Sequence, residues 1–305
     1  MARERAGAAA MFAGVLKEYR SVQWVRVTER GVMNRWSMLA LGAAAVFGMG
    51  TPAGWAQRTN RYVVKDNVNA APPYDSWANA AANIQTAIDY GYTAAGSTVL
   101  VAAAVYDTGG TVVPSRMLTN RVYLSKAITV RSADNDPATT IIKGAWDPVK
   151  TNGAAAVRCV YMVNDAVLIG FTLTNGATIT TNERPASQIG PDASGGGVWA
   201  QSAAAVISNC VIGGNAASSD RWNTYSGGGA FQGTLFNCTL AGNFADMGGG
   251  AHLAILSNCT VAGNSAVLGD GGGTRACTLY GCVISNNNAA TFNGEIGRAS
   301  CRERV

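Results

Sequence analysis

Of the chain's 305 residues, 48% are hydrophobic and only 13% charged, and its 37 glycines suit a fold of tight turns rather than long helices. The net charge of +5 belongs to the ends, because the stretch from Gln57 to Gly294 carries 13 Lys/Arg against 13 Asp/Glu. That balance excludes a basic surface built for nucleic acid or anionic lipid.

Residues 1–32 are mixed in charge, fit no targeting plan, and read as a mis-annotated upstream extension before a true start at Met33. From there MNRWSMLALGAAAVFGMGTPAGWAQ offers Arg35, an apolar run from Met38 to Met49, then Pro52 and small residues up to Ala56. This is the plan of a secretory signal peptide over 33–56. The apolar run is about 12 residues, short of the roughly 20 that a membrane-crossing helix needs. Export follows as an expectation, to the extracellular space or the outer-membrane surface. Residues 57–97 are expected to form an N-terminal cap. Within it, YDSWANAAANIQTAIDYGY (Tyr74 to Tyr92) sets Trp77, Ala81, Ile84 and Ile88 on one helical face. Asp75 or Ser76 is suited to cap that helix and Gly91 to end it. STVLVAAAVYDTGG from Ser97 and NRVYLSKAITVRS from Asn120 then read as the first strands.

Downstream the chain repeats itself. Triple glycines begin at Gly195, Gly227, Gly248 and Gly271, in steps of 32, 21 and 23 residues. The long first step is expected to hold one insertion, SSDRWNTYS, from Ser218 to Ser226. A period of twenty-odd residues marks stacked structural units. The segments inside each unit are short and β-rich, so three strands per unit would make one coil, with coils stacked at roughly 4.8 Å. Equivalent residues then form columns. Ile207, Leu235, Leu256 and Leu279 are one interior column, Cys210, Cys238, Cys259 and Cys282 a second, and Ile212, Leu240, Val261 and Ile284 a third. Val211, Thr239, Thr260 and Val283 alternate outward. Asn215, Asn243, Asn264 and Asn287 are expected to form a hydrogen-bonded amide ladder at a turn. The expected fold is all-β: a right-handed, single-stranded parallel β-helix over 98–294, capped by the N-terminal α-helix.

The pairing of GGA (Gly228 to Ala230, Gly249 to Ala251) with LAGN and VAGN, ending at Asn243 and Asn264, resembles the repeats of polymorphic outer-membrane proteins. The resemblance implies a surface passenger with a right-handed β-helix, although that family has Phe where Leu240 and Val261 stand. VLIGFTLTNGA from Val167 and ITVRSADNDPATTIIKGA from Ile128 also resemble coils of pectate-lyase-like β-helices.

The regular rhythm stops at Glu295. EIGRASCRERV (295–305) matches the in-frame translation of a common sequencing adapter, so the repeat is expected to continue past Gly294 in the natural protein.

Chemistry is sparse. The cysteines lack Cys-x-x-Cys spacing and read as small apolar side chains in a narrow interior, although export would permit disulfides. His252 is the sole histidine and Glu183 the sole Glu between Gln57 and Gly294. Trp199, Phe231, His252 and Arg275 share one slot, either an outward stripe able to stack on sugar rings or a structural position. Asp246 and Asp270 precede triple glycines and are expected to be neighbours at one turn, as weak catalytic candidates against the plainer reading that Asp favours turns. No metal site or cofactor motif appears, and calcium is left open without one. Two functions remain. One is a non-catalytic, exported, adhesin-like β-helix that holds polysaccharide or a cell-surface component, tied to a membrane only through a missing C-terminal anchor or barrel. The other is a carbohydrate-active lyase or glycosidase.

Overall fold

The computed structural model describes residues 59–91, 93–180, 190–218 and 226–289. The upstream extension, the signal segment and the 295–305 tail lie outside the described residues. The described chain is a right-handed parallel β-helix.

Each regular coil has four sides rather than the expected three. In the coil that starts at Gly227 these are Ala230–Phe231, Thr234–Phe236, Thr239–Ala241 and Phe244–Ala245. Each side pairs in parallel with its counterpart in the next coil. We call the four resulting sheets the aromatic, first, second and short faces. The first has eight strands, the second and aromatic seven each, and the short face four. The fourth side escaped sequence analysis because two-residue strands of mostly small residues carry no periodicity.

Corners explain the rhythm. In the coil after Gly248 the backbone is left-handed at Gly248, Leu253, Asn258 and Gly263, with φ of 63°, 56°, 53° and 65°. Three successive sides are therefore five residues long, each turned by one left-handed residue. Leu253 adopts this against the preference of a β-carbon-bearing residue.

From Leu168 onward the path from the first face through the second to the corner before the short face has constant length, whereas the preceding coil carries Ala133 to Thr139 between its first and second faces. From the core aliphatic to the ladder position it is Leu168 to Gly176, Ile207 to Asn215, Leu235 to Asn243, Leu256 to Asn264 and Leu279 to Asn287, eight steps each time. The return around the aromatic face varies, from 13 steps (Asn243 to Leu256) to 31 (Gly176 to Ile207). The long first repeat step is accordingly not one insertion. Part of it is the turn from Gln201 to Ala204, on the other side of the aromatic face, where later coils have only two residues between strands.

The interior holds the aliphatic columns, with Ile207, Leu235 and Leu256 fully buried. Cys210, Cys238 and Cys259 stack behind Phe171, and Cys282 is half-buried. All six described cysteines are free thiols. Burial pushes Cys159 and Cys277 up to about 12, so both stay neutral. The amide ladder runs without a break. Nδ2 of Asn215, Asn243 and Asn264 donates to Oδ1 of the next asparagine at 3.0, 2.9 and 2.9 Å. The same Nδ2 atoms donate to Leu173 O, Ile212 O and Leu240 O. The backbone N–H of each of the three donates to the next Oδ1 as well. At the lower end Asn215 Oδ1 accepts from Gly176 N at 2.8 Å. The triple glycines let coils approach closely: a β-carbon on Gly250 would fall 2.5 Å from Gly273 O and 3.0 Å from Val261 Cγ1.

The cap differs from the expected long helix. Helix α1 spans only Ile84–Asp89, capped by Asn83, whose Oδ1 accepts from Thr86 N at 2.9 Å. Asp75 and Ser76 instead bind Asn79 in a local turn. The preceding segment is spent on the sheet edge. Tyr62 N donates to Tyr74 O and Ala81 N to Tyr62 O, both at 2.8 Å. Edge groups of the first strand are satisfied by the turns of this segment and one bridge at Ala81, which overrides the helical spacing. Trp77 is left 45% exposed, its ring 4.7 Å from that of Tyr62. No helix among the described residues is long and apolar enough to cross a membrane.

Candidate functional site

The outward side of the aromatic face carries one column through six coils. Val198 and Ala200 point into the core, so Trp199 between them points out. The register joins Tyr123, Tyr161, Trp199, Phe231, His252 and Arg275. The triple-glycine repeat marks the last four but not Tyr123 and Tyr161. Their signal was the same Val-aromatic pair that precedes a core position, but no triple glycine flags those coils.

The rings form a continuous stack. Tyr161 lies 4.3 Å from Trp199 at 24°, and Trp199 lies 6.2 Å from Phe231 at 13°. Phe231 meets His252 edge-on at 5.7 Å. The column is covered, however. Trp199, Phe231 and His252 are 7%, 4% and 3% exposed, and Val113 packs against the rings. An open sugar-stacking stripe is therefore not what these side chains form. Only Tyr123 and Arg275, at the two ends of the column, remain partly open. Trp199 Nε1 is buried and has no hydrogen-bond partner among the described residues.

His252 is held between two donors. Ser226 N lies 3.3 Å from Nδ1 and Arg275 Nη1 lies 3.1 Å from Nε2. A neutral imidazole has one lone pair, so one donor is always faced by an N–H. That lone pair is engaged by either partner, which leaves none to activate a hydroxyl nucleophile. Burial first, and Arg275 second, lower the ring from 6.5 to about 4. Between these values the unfolded chain takes up a proton that the folded chain refuses. Stability is thus expected to fall by about 3 kcal/mol as pH drops from about 6.5 toward about 4, and to stop falling on this account below that. Urea unfolding at several pH values checks this, with His252→Phe expected to flatten that window. An unchanged slope in the variant means another group titrates there.

Beside the column sits a polar cluster that sequence analysis did not single out. Arg158 is fully buried, with Nη1 donating to Asn120 Oδ1 at 2.7 Å, Nε to Gly195 O at 2.8 Å and Nη2 to Ser194 O at 2.8 Å. Asp192 Oδ2 accepts from Met117 N at 3.0 Å. These bonds fix the loops at the edge of the aromatic face.

The two aspartates do not share a slot. Gly227 N donates to Met247 O, and Gly248 N to Asp270 O, so Asp270 follows Met247 in register rather than Asp246. The stretch from Asn264 to Gly271 is two residues longer than that from Asn243 to Gly248, which shifts the later aspartate by one position. Asp246 is buried, within 3.4 Å of Ser218 Oγ, while Asp270 is exposed. Among the described residues no three His, Cys, Asp or Glu side chains gather as a metal site.

No family model and no curated protein matches the chain. The chain is similar to the solved structure of rice weevil pectin methyl esterase, with 14% identity over 79% of this chain and 68% of that one, at a TM-score of 0.40.

Proposed function

We propose that the protein is an exported, non-catalytic β-helix that recognises polysaccharide or a cell-surface component through the loops bordering its aromatic face. One observation carries the reading. From Leu168 onward, coil length is constant through the first and second faces and varies on the return around the aromatic face. A rigid frame with variable loops gathered on one side is how recognition surfaces are built. The covered column anchors those loops rather than meeting the ligand. The likeness of the GGA and Asn-ended segments to polymorphic outer-membrane repeats supports a surface passenger. The non-catalytic part is supported by the aspartates, since a glycosidase needs two carboxylates facing one bond, and these two occupy different slots, one buried and one exposed.

The test is retention on pectins, alginates and neutral glucans, with and without calcium, while reducing ends and unsaturated products are followed. Retention without cleavage is expected. Replacing Ala200–Ala205 by the Gln-Gly of the equivalent later corner should weaken retention at least tenfold while the circular dichroism spectrum stays unchanged. Cleavage that disappears in Asp246→Asn or Asp270→Asn would establish the enzyme instead.

A further inference from the structure

The end of the β-helix near the cap holds a cavity of about 210 Å³ between α1, the segment around Lys65 and the turn at Gly109. Its polar lining is Lys65, Asn83, Gln85, Tyr106, Thr108 and Arg121, over an apolar floor that includes Ile84 and Val122. Arg121 decides its chemistry. The side chain is nine-tenths buried, with Nε donating to Lys143 O at 2.8 Å and Nη1 to Gly109 O. Both acceptors are neutral carbonyls, and Nη2 has no partner among the described residues. The acid nearest to hand, Asp107, is taken by Lys65 at 2.8 Å on the solvent side, where it is 41% exposed. Desolvation lowers the Arg121 pKa, and the more distant charge of Asp107 offsets this only in part. Asn83 adds a second donor, because its Oδ1 is used by the helix cap while Nδ2 is uncommitted among the described residues. The fork of a guanidinium matches the planar oxygens of a carboxylate or the face of a phosphate.

We propose that this cavity binds a small organic oxyanion, a carboxylate or phosphate on a molecule no larger than one sugar ring, with Arg121 as the anion ligand and Lys65 and Asn83 beside it. The site shares no residue with the recognition loops, so it stands or falls independently of them.

Calorimetry on the full chain tests it, with glucuronate, glucose 6-phosphate, inorganic phosphate and glucose as probes. The two acidic sugars should bind at least tenfold more tightly than glucose. Whichever of them binds more tightly, compared with inorganic phosphate, distinguishes a carboxylate from a phosphate site. Arg121→Gln should weaken binding at least tenfold. Because that residue also braces two carbonyls, Asn83→Asp is the second variant. Aspartate caps a helix as well as asparagine does, and its carboxylate would occupy the anion's place. It should abolish binding while the thermal melt stays the same or rises. Absence of binding by every anion, affinity for glucose equal to that for glucuronate, or full anion binding in Asn83→Asp would each overturn the assignment.

Discussion

Leu256→Asp is expected to destroy the cooperative fold. Leu256 is fully buried and stacked between Leu235 below and Leu279 above. A carboxylate placed there has aliphatic neighbours on both sides along the column. It must either stay charged in an apolar interior or take up a proton, and a neutral acid still lacks partners. The cost is several kcal/mol, a large share of the roughly 5–15 kcal/mol that holds a typical domain together. The same coil supplies its own control. Thr260 is exposed on the second face, so Thr260→Asp should change the melt by less than about 0.5 kcal/mol. Circular dichroism melts of the two variants separate the outcomes. A normal melt for Leu256→Asp would mean that the whole column faces solvent and the alternation is shifted by one.

Asn264→Asp should be more damaging than Asn264→Ala, although aspartate is nearly the same shape. Oδ1 of Asn264 accepts from Asn243 N and Nδ2, and an aspartate oxygen would accept these equally well. The other atom is the difficulty. Nδ2 of Asn264 donates to Leu240 O and Asn287 Oδ1, both at 2.9 Å. An oxygen in that place faces two acceptors with at most one proton between them. Alanine leaves orphaned groups worth roughly 2–3 kcal/mol. Aspartate adds repulsion and a buried charge, for roughly 3–5 kcal/mol at neutral pH. Acidification should recover part of the aspartate loss, since the protonated form restores one donor. Melts at pH 7 and pH 5 check both statements. An aspartate variant more stable than the alanine one would show that the ladder does not run in the direction described.

The interior was legible because each slot repeats. Ile207, Leu235, Leu256 and Leu279 announce one column by their spacing alone, and the asparagines announce the ladder. The corners were not all legible. Asn258 and Gly263 are residues that tolerate left-handed backbone, whereas Gln232, Leu253 and Ala276 take it for the sake of the stack and give no sign of doing so. The helix was overread because Trp77, Ala81, Ile84 and Ile88 have helical spacing, while Asn79 and Asn83 divert the chain into turns. At the candidate site, the alternation that turns Trp199 outward could be read from its neighbours. Its burial could not, because the covering residue Val113 lies far away in sequence. The aspartates misled because two extra residues before Gly271 shift the count without disturbing the motif.

The unequal coils also bear on how such a chain diversifies. From Leu168 onward, a residue gained within the eight-step path would displace the thiol, aliphatic and amide columns together, and that stretch keeps its length in all five coils. A residue gained in the loops beside the aromatic face displaces none of those three columns. Lineages descended from one ancestral coil can therefore lengthen a loop, shorten it or exchange it there while inheriting an unchanged frame.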